Sequence, residues 1–230
     1  MTRCFHIFRY LTIVLLVFPM TACSTINEWI DKLGFDTHDY MQESVTGTCE
    51  TDGETAQTLK EMLEILTSSQ SLYEFTKTKD AINQYRDTIL TYMLETEYAR
   101  YSGNQTLIEQ ASREYPEYQI TQIIPAKDFE ATMYQYFGGN VRIQHKDGQV
   151  FRYLKKVNAY ISPVAPNNSE YEITLTSIEE TANTYRVYFT VDADSETAQD
   201  YFALIVKRED GTHYFKQIVN RTVEPESLAA

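Results

Sequence analysis

The chain has 230 residues, with 33 acidic against 20 basic side chains and a formal charge of −13. Eighteen Tyr and 11 Phe against 8 Gly and 6 Pro exclude a disordered or low-complexity chain. A nucleic-acid partner would call for a basic stripe, which the sequence lacks, and the same acidity opposes electrostatic adhesion to anionic lipid.

The first nine residues carry Arg3 and Arg9 and no acid. Leu11 to Phe18 is an apolar run interrupted only by Thr12, Pro19 ends it, and the small residues Thr21 and Ala22 precede Cys23. That is the three-part layout of a secretory signal. Leu11 to Ala22 offers 12 residues, where a membrane-crossing helix takes about 20, and Pro19 disfavours a continuous helix. A permanent transmembrane anchor is therefore rejected.

Met20-Thr21-Ala22-Cys23 resembles the lipobox of bacterial lipoproteins, with Met20 where the family usually has Leu. The resemblance implies cleavage after Ala22, acylation of Cys23 as the mature N-terminus, and a membrane-anchored protein in the cell envelope facing outside the cytoplasm. Two or more acyl chains would supply the anchoring that a single chain gives only marginally. An ordinary signal cut near Ala22, leaving Cys23 as a plain thiol, is the alternative. Loss of residues 1–22 removes two Arg and no acid, which leaves 208 residues at a charge of −15. Cys4 leaves with the leader and Cys23 carries lipid, so Cys49 has no intramolecular partner and a disulfide framework is excluded. Cys49 lies in the polar stretch Thr46 to Thr51 without a neighbouring base, and a nucleophilic role is not expected.

Residues 23–53 read as the lipidated Cys and a tether. Ile26, Trp29, Ile30 and Leu33 recur at helical spacing, and Thr46 to Gly53 reads as loop. Trp29 is expected to dock on the domain, since the polar face of that segment carries Glu28 and Asp31 with a single Lys32 rather than a basic membrane-facing side.

A single domain is expected over 54–221, followed by a polar tail at 222–230. Helices should occupy about 54–137. The first is Glu54 to Leu66, with Leu59, Met62, Leu63 and Leu66 on one face. The Ser71–Glu74 spacing of a capping box predicts one long helix from Leu72 to Tyr101, burying Ile82, Tyr85, Ile89, Tyr92 and Met93. A left-handed Gly103 should stop it. Leu107 to Glu114 reads as a short helix and Pro116 to Ile124 as irregular. Pro125 opens another helix, with Phe129, Met133, Tyr136 and Phe137 inward and Gly138 ending it.

From about 141 to 219 the period becomes 2. Val141, Ile143 and Val150 to Tyr153 should pair across Asp147-Gly148. Pro163 to Asn168 reads as loop, and Tyr171 to Ile178 and Thr184 to Val191 as strands around Glu179 to Asn183. Tyr201 to Lys207 and His213 to Val219 should pair across Glu209 to Thr212. Helices first and an antiparallel meander afterwards predict an α+β domain, the N-terminal helices covering one face of a curved C-terminal sheet. This element order is similar to that of the NTF2-like and cystatin-like group, which implies a cone able to form a pocket, an interaction surface or a dimer face.

No motif announces catalysis. Asp192, Asp194 and Glu196 alternate as in a calcium loop, but Thr197 and Ala203 stand where Gly and Glu are required. A solvated hairpin is the expectation, with weak calcium binding the alternative. His38, His145 and His213 lack zinc-site spacings, and the two later ones read as exposed strand-end residues. Phe137-Gly138-Gly139-Asn140 is a helix end rather than a phosphate loop. Glu95 and Glu97 face different sides of a helix, and Glu179 and Glu180 read as a solvated turn. Tyr160, Tyr171, Tyr185, Tyr188, Tyr201 and Tyr214 would suit a sugar or peptide ligand, yet such rings also favour half-buried sheet faces. The patterns at Asn104, Asn167 and Asn220 read as chance matches to a glycosylation signal.

The expectation is a lipid-anchored, non-enzymatic extracytoplasmic module that binds an envelope protein or small ligand through its sheet, with no cofactor or metal. An envelope hydrolase whose site assembles from distant residues, and a self-associating structural lipoprotein, are the alternatives.

Overall fold

The computed structural model describes residues 39–67, 72–139, 142–162, 171–193 and 197–222. The described elements belong to the unit Tyr40–Ala230. The lipobox, Trp29, His38, Ser71, Asn140, Val141, the Pro163 to Asn168 loop, Asp194 to Glu196 and the tail from Glu224 lie outside the described residues.

The unit is α+β, as the order of helical and alternating periods predicts. A turn of 3-10 helix at Tyr40–Gln42 leads into β1 (Gly47–Cys49). Helices α1 (Glu54–Thr67), α2 (Thr78–Gln84), α3 (Arg86–Thr96), α4 (Tyr98–Ser102) and α5 (Gln105–Glu114) follow. Then come β2 (Ile124–Pro125), α6 (Ala126–Phe137), β3 (Arg152–Leu154) and β4 (Ala159–Ile161). The long strands β5 (Tyr171–Glu180), β6 (Thr184–Ala193), β7 (Gln199–Lys207) and β8 (His213–Asn220) end the unit.

The main sheet is antiparallel in the order β1-β5-β6-β7-β8, a meander with β1 added beside β5. Register shifts between Leu175 and Ser177 and between Leu204 and Ile205 break the regular ladder, the kind of irregularity that bends a strand and increases its twist. Helices α1 and α6 contact β5 and β8. Their apolar faces, Leu59, Leu63 and Leu66 on α1 and Phe129, Met133 and Phe137 on α6, share one buried cluster with Ile173, Val187, Phe189, Ala203, Ile205, Phe215 and Ile218 of the sheet. Within β7, Tyr201 to Val206 is an unbroken apolar run because Phe202, Leu204 and Val206 on its other face are buried too. Among the described residues no helix is long and apolar enough to cross a membrane.

Four expectations are corrected. Gly47–Cys49, read as loop, pairs with Ile178, Glu179 and Glu180 as β1. The continuous helix from Leu72 to Tyr101 is instead α2, α3 and α4, broken at Tyr85 and at Glu97, whose φ/ψ of −91°/10° and −122°/32° leave the helical region. It starts at Thr78, because Phe75 is drawn into a bridge with Ile218 of β8, each N–H donating to the other's carbonyl. Ile82, Tyr85, Ile89 and Met93 are buried as the periodicity predicts, while Tyr92 is half-buried.

Gly103, expected to be left-handed, has φ −81°. It serves close approach instead, since a Cβ there would stand 2.7 Å from the Ala99 carbonyl oxygen. Gly138 does take the positive φ, +80°, that ends α6.

The Asp147-Gly148 hairpin does not form. Residues 142–150 are irregular, and β3 pairs with β4 across Lys155 to Asn158, with Asn158 at φ 51°. Strand β2 completes this small sheet in the order β2-β4-β3. It packs a satellite core of Leu154, Ala159 and Ile161 against Ile108 and Ala111 of α5 and Ile120 and Ile123 of the following loop.

The displaced hairpin has a cause in the core. Asp87, on α3, is 8% exposed, and its Oδ2 accepts the N–H groups of Gln149 at 2.5 Å and Val150 at 3.2 Å. The carboxylate sits where a Cβ of residue 148 would come within 1.9 Å of Oδ1. Gly148 is needed for that approach, and the Asp-Gly pair that resembles a turn signal is a seat for a buried carboxylate.

Candidate functional site

Where the ends of β5, β6, β7 and β8 converge, a cleft of about 380 Å³ opens between the sheet and the Leu72–Glu74 segment. Tyr171 begins β5, Val191 lies near the end of β6, Gln199 and Tyr201 lie at the start of β7 and Asn220 ends β8. Gln84 reaches the cleft from the last residue of α2, and Tyr73, Glu74 and Thr197 complete its polar rim.

The position of Tyr73 is set by the buried core. Tyr85 is fully buried, its hydroxyl accepting the Tyr73 N–H at 2.8 Å and donating to the Tyr73 carbonyl at 2.6 Å. Burial pushes the Tyr85 phenol far above its usual range, so it stays protonated and able to donate. The Tyr85 ring also stacks on Phe137 and meets Phe75 edge-on. The chain running past the cleft is thereby tied to the centre of the domain.

On the opposite wall the Tyr201 ring stacks on Phe189 at 5.7 Å and its hydroxyl donates to Gln199 Oε1 at 2.9 Å. Asn220 Nδ2 donates to the same oxygen at 3.0 Å, and Asn220 Oδ1 accepts the Thr222 N–H at 2.8 Å. Two donors converging on Gln199 Oε1 fix the orientation of that amide. The described lining therefore combines aromatic faces, hydroxyls and amides with the carboxylate of Glu74.

A second constellation lies at the small sheet. His145 Nδ1 is 3.0 Å from Tyr160 Oη and Nε2 is 2.9 Å from Glu130 Oε1. Tyr153 stacks on the imidazole at 5.0 Å. Tyr160 is fully buried and burial pushes its phenol up to about 12, with the Arg86 guanidinium and the Lys146 N–H pulling in the opposite direction. His145 therefore lies between the Tyr160 phenol on Nδ1 and the Glu130 carboxyl on Nε2. Both ring nitrogens are thus engaged. His145 is a packed and satisfied histidine, not the exposed strand-end residue expected. Arg86, 3% exposed, donates to the Gln144 carbonyl at 3.0 Å, and its Nε has no partner among the described residues.

The remaining candidates disperse. His213 lies half-buried against Tyr185, and burial with Lys207 and Arg208 nearby lowers its pKa from 6.5. Burial and Glu180 raise the Cys49 thiol, with Lys207 acting weakly against them, so a ready thiolate is disfavoured there. Glu180, read as a turn residue, is in β5 and pairs with Lys207 at 2.6 Å, while Glu179 lies 3.8 Å from Arg186. Asp192 is exposed on β6, and no cluster able to hold a metal ion occurs among the described residues. Asn104 caps α5, its Oδ1 accepting the Leu107 N–H. Tyr171, Tyr201 and Asn220 are brought to the cleft, whereas Tyr160, Tyr185, Tyr188 and Tyr214 are not among its lining.

Sequence reasoning passed over Tyr73, Gln84 and Gln199, whose isolated polar types carry no motif. The chain matches no family model, and neither the curated proteins nor the solved structures provide a match.

Proposed function

We propose that this protein is a lipid-anchored extracytoplasmic module that holds a small ligand in the cleft at the end of its main sheet. Cys23, freed by cleavage after Ala22, carries the acyl chains, and the domain that starts at Tyr40 faces away from the cytoplasm in the cell envelope. The element order is taken as that of an NTF2-like or cystatin-like domain, whose pocket forms between helices and sheet.

The observation that carries the binding part is the cleft, whose volume of about 380 Å³ falls within the ~300–1,000 Å³ of small-ligand sites. Its rings and amides suit holding more than chemistry. An envelope hydrolase is the second reading, favoured by the Glu130–His145 contact, but engagement of both imidazole nitrogens speaks for a structural histidine.

Native mass spectrometry of the protein extracted gently from its own membrane tests the proposal. The expected species is residues 23–230 plus acyl chains with an additional small molecule bound. An unacylated chain would overturn the anchor, and an acylated chain without bound mass would count against tight ligand retention.

A further inference from the structure

The chemistry of the cleft narrows its ligand. Resting on the reading of the cleft as a binding site, we propose that it takes a neutral mono- or disaccharide.

Gln199 stands at the start of β7 on the wall of the cleft. Its Oε1 is consumed by donors from Tyr201 and Asn220, so what this side chain offers a ligand is its pair of Nε2–H donors. A preset amide donor favours a hydroxyl or carbonyl oxygen. No Lys, Arg or His is among the described lining residues, and Glu74 is, so an anion would meet repulsion without a counter-charge. An entirely apolar ligand would strip water from Gln199 and Gln84 without replacing their hydrogen bonds, the costly outcome for polar groups removed from water.

A neutral ligand that is apolar on one face and rich in hydroxyls around its edge satisfies all these constraints. Sugar rings have that form. The half-buried rings of Tyr73 and Tyr171 provide surface for the C–H face. Gln84, Gln199 and Thr197 supply donors and acceptors for the hydroxyl rim, and Glu74 can accept from two adjacent hydroxyls. The walls are also set before a ligand arrives, Tyr73 by Tyr85 and Gln199 by Tyr201 and Asn220, which reduces the ordering cost of binding.

The test is saturation-transfer NMR on the full-length chain in a polyoxyethylene detergent. The probes are glucose, galactose, N-acetylglucosamine, maltose and cellobiose, with choline and butyrate as charged comparators. The expected result is transfer to the ring C–H protons of at least one neutral sugar, with Kd raised about tenfold or more by Tyr171→Ala and by Gln199→Leu. Thermal melting checks that each variant folds, and Gln84→Ala, at an exposed helix end, keeps the test open if Tyr171→Ala does not. Sugar binding indifferent to folded variants would overturn the proposal. Silence of every sugar while choline or butyrate binds, sensitive to Tyr171→Ala, would overturn the carbohydrate assignment and leave the binding module standing. Silence of every probe together with an empty native mass spectrum would overturn both.

Discussion

Asp87 and Gly148 illustrate how one buried charge dictates a loop. Gly148→Ala would drive a Cβ into a carboxylate held by two backbone N–H groups, at a cost of about 2 kcal/mol, as for other insertions into filled cores. Removing the carboxylate with Asp87→Ala costs a similar ~2–3 kcal/mol through lost charge-assisted hydrogen bonds. The double variant should cost less than the sum, because the clash is gone once the carboxylate is. Urea denaturation of all four proteins measures this, and strict additivity would contradict the account.

His213 gives a pH signature. Burial and the nearby Lys207 and Arg208 lower its folded pKa below 6.5, with Asp210 acting against them. As pH falls below 6.5 the unfolded chain takes up the proton first, so this residue's contribution is complete above 6.5 and is lost as pH drops through the folded value. His213→Gln should flatten that part of the stability–pH curve. Parallel wild-type and variant curves between pH 7 and pH 5 would rule the effect out.

Among the elements, the segment Leu72–Glu74 most needs explanation, since a capping-box pattern points to helix and the chain is irregular there instead. Two core contacts outweigh the local preference: the backbone bridge of Phe75 to Ile218 and the paired hydrogen bonds of Tyr73 to the Tyr85 hydroxyl. Tyr85→Phe keeps the ring and removes only the hydroxyl. It should lower stability by about 2–3 kcal/mol by withdrawing a buried partner from both backbone groups, and should weaken ligand binding because Tyr73 lines the cleft. Thermal melts and ligand titrations follow the two effects separately. A variant as stable as wild type would show that the segment is held by other contacts.

For the whole molecule, the proposed delivery rests on Cys23. Cys23→Ala should shift the protein from the membrane fraction to the soluble fraction on cell fractionation, since it removes the acceptor for acyl chains and creates no apolar span. An unchanged membrane fraction would refute lipid anchoring. The domain itself should keep its melting temperature in that variant.

Repeating chemical patterns made much of this protein legible from sequence. The 3.6-residue spacing of Leu59, Met62, Leu63 and Leu66 and of Phe129, Met133 and Phe137 placed two helices and their buried faces. Alternation, with the turn residues near Asn183 and Gly211, placed four long strands, and helices before strands determined the α+β class. These features depend on each residue's relation to near neighbours, which a linear reading contains.

The remainder depends on partners far apart in the chain. The break at Tyr85, the loop seated on Asp87, the short strand at Gly47–Cys49 and the engaged nitrogens of His145 each answer to a residue more than ten positions away. The cleft is the same case: Tyr73, Gln84, Tyr171, Gln199 and Asn220 meet only because the meander brings four strand ends beside a segment held by Tyr85. Local propensities are worth tenths of a kcal/mol to about 1 kcal/mol per residue, whereas stranding a buried polar group costs about 1–3 kcal/mol. Where the two conflicted, the tertiary structure decided.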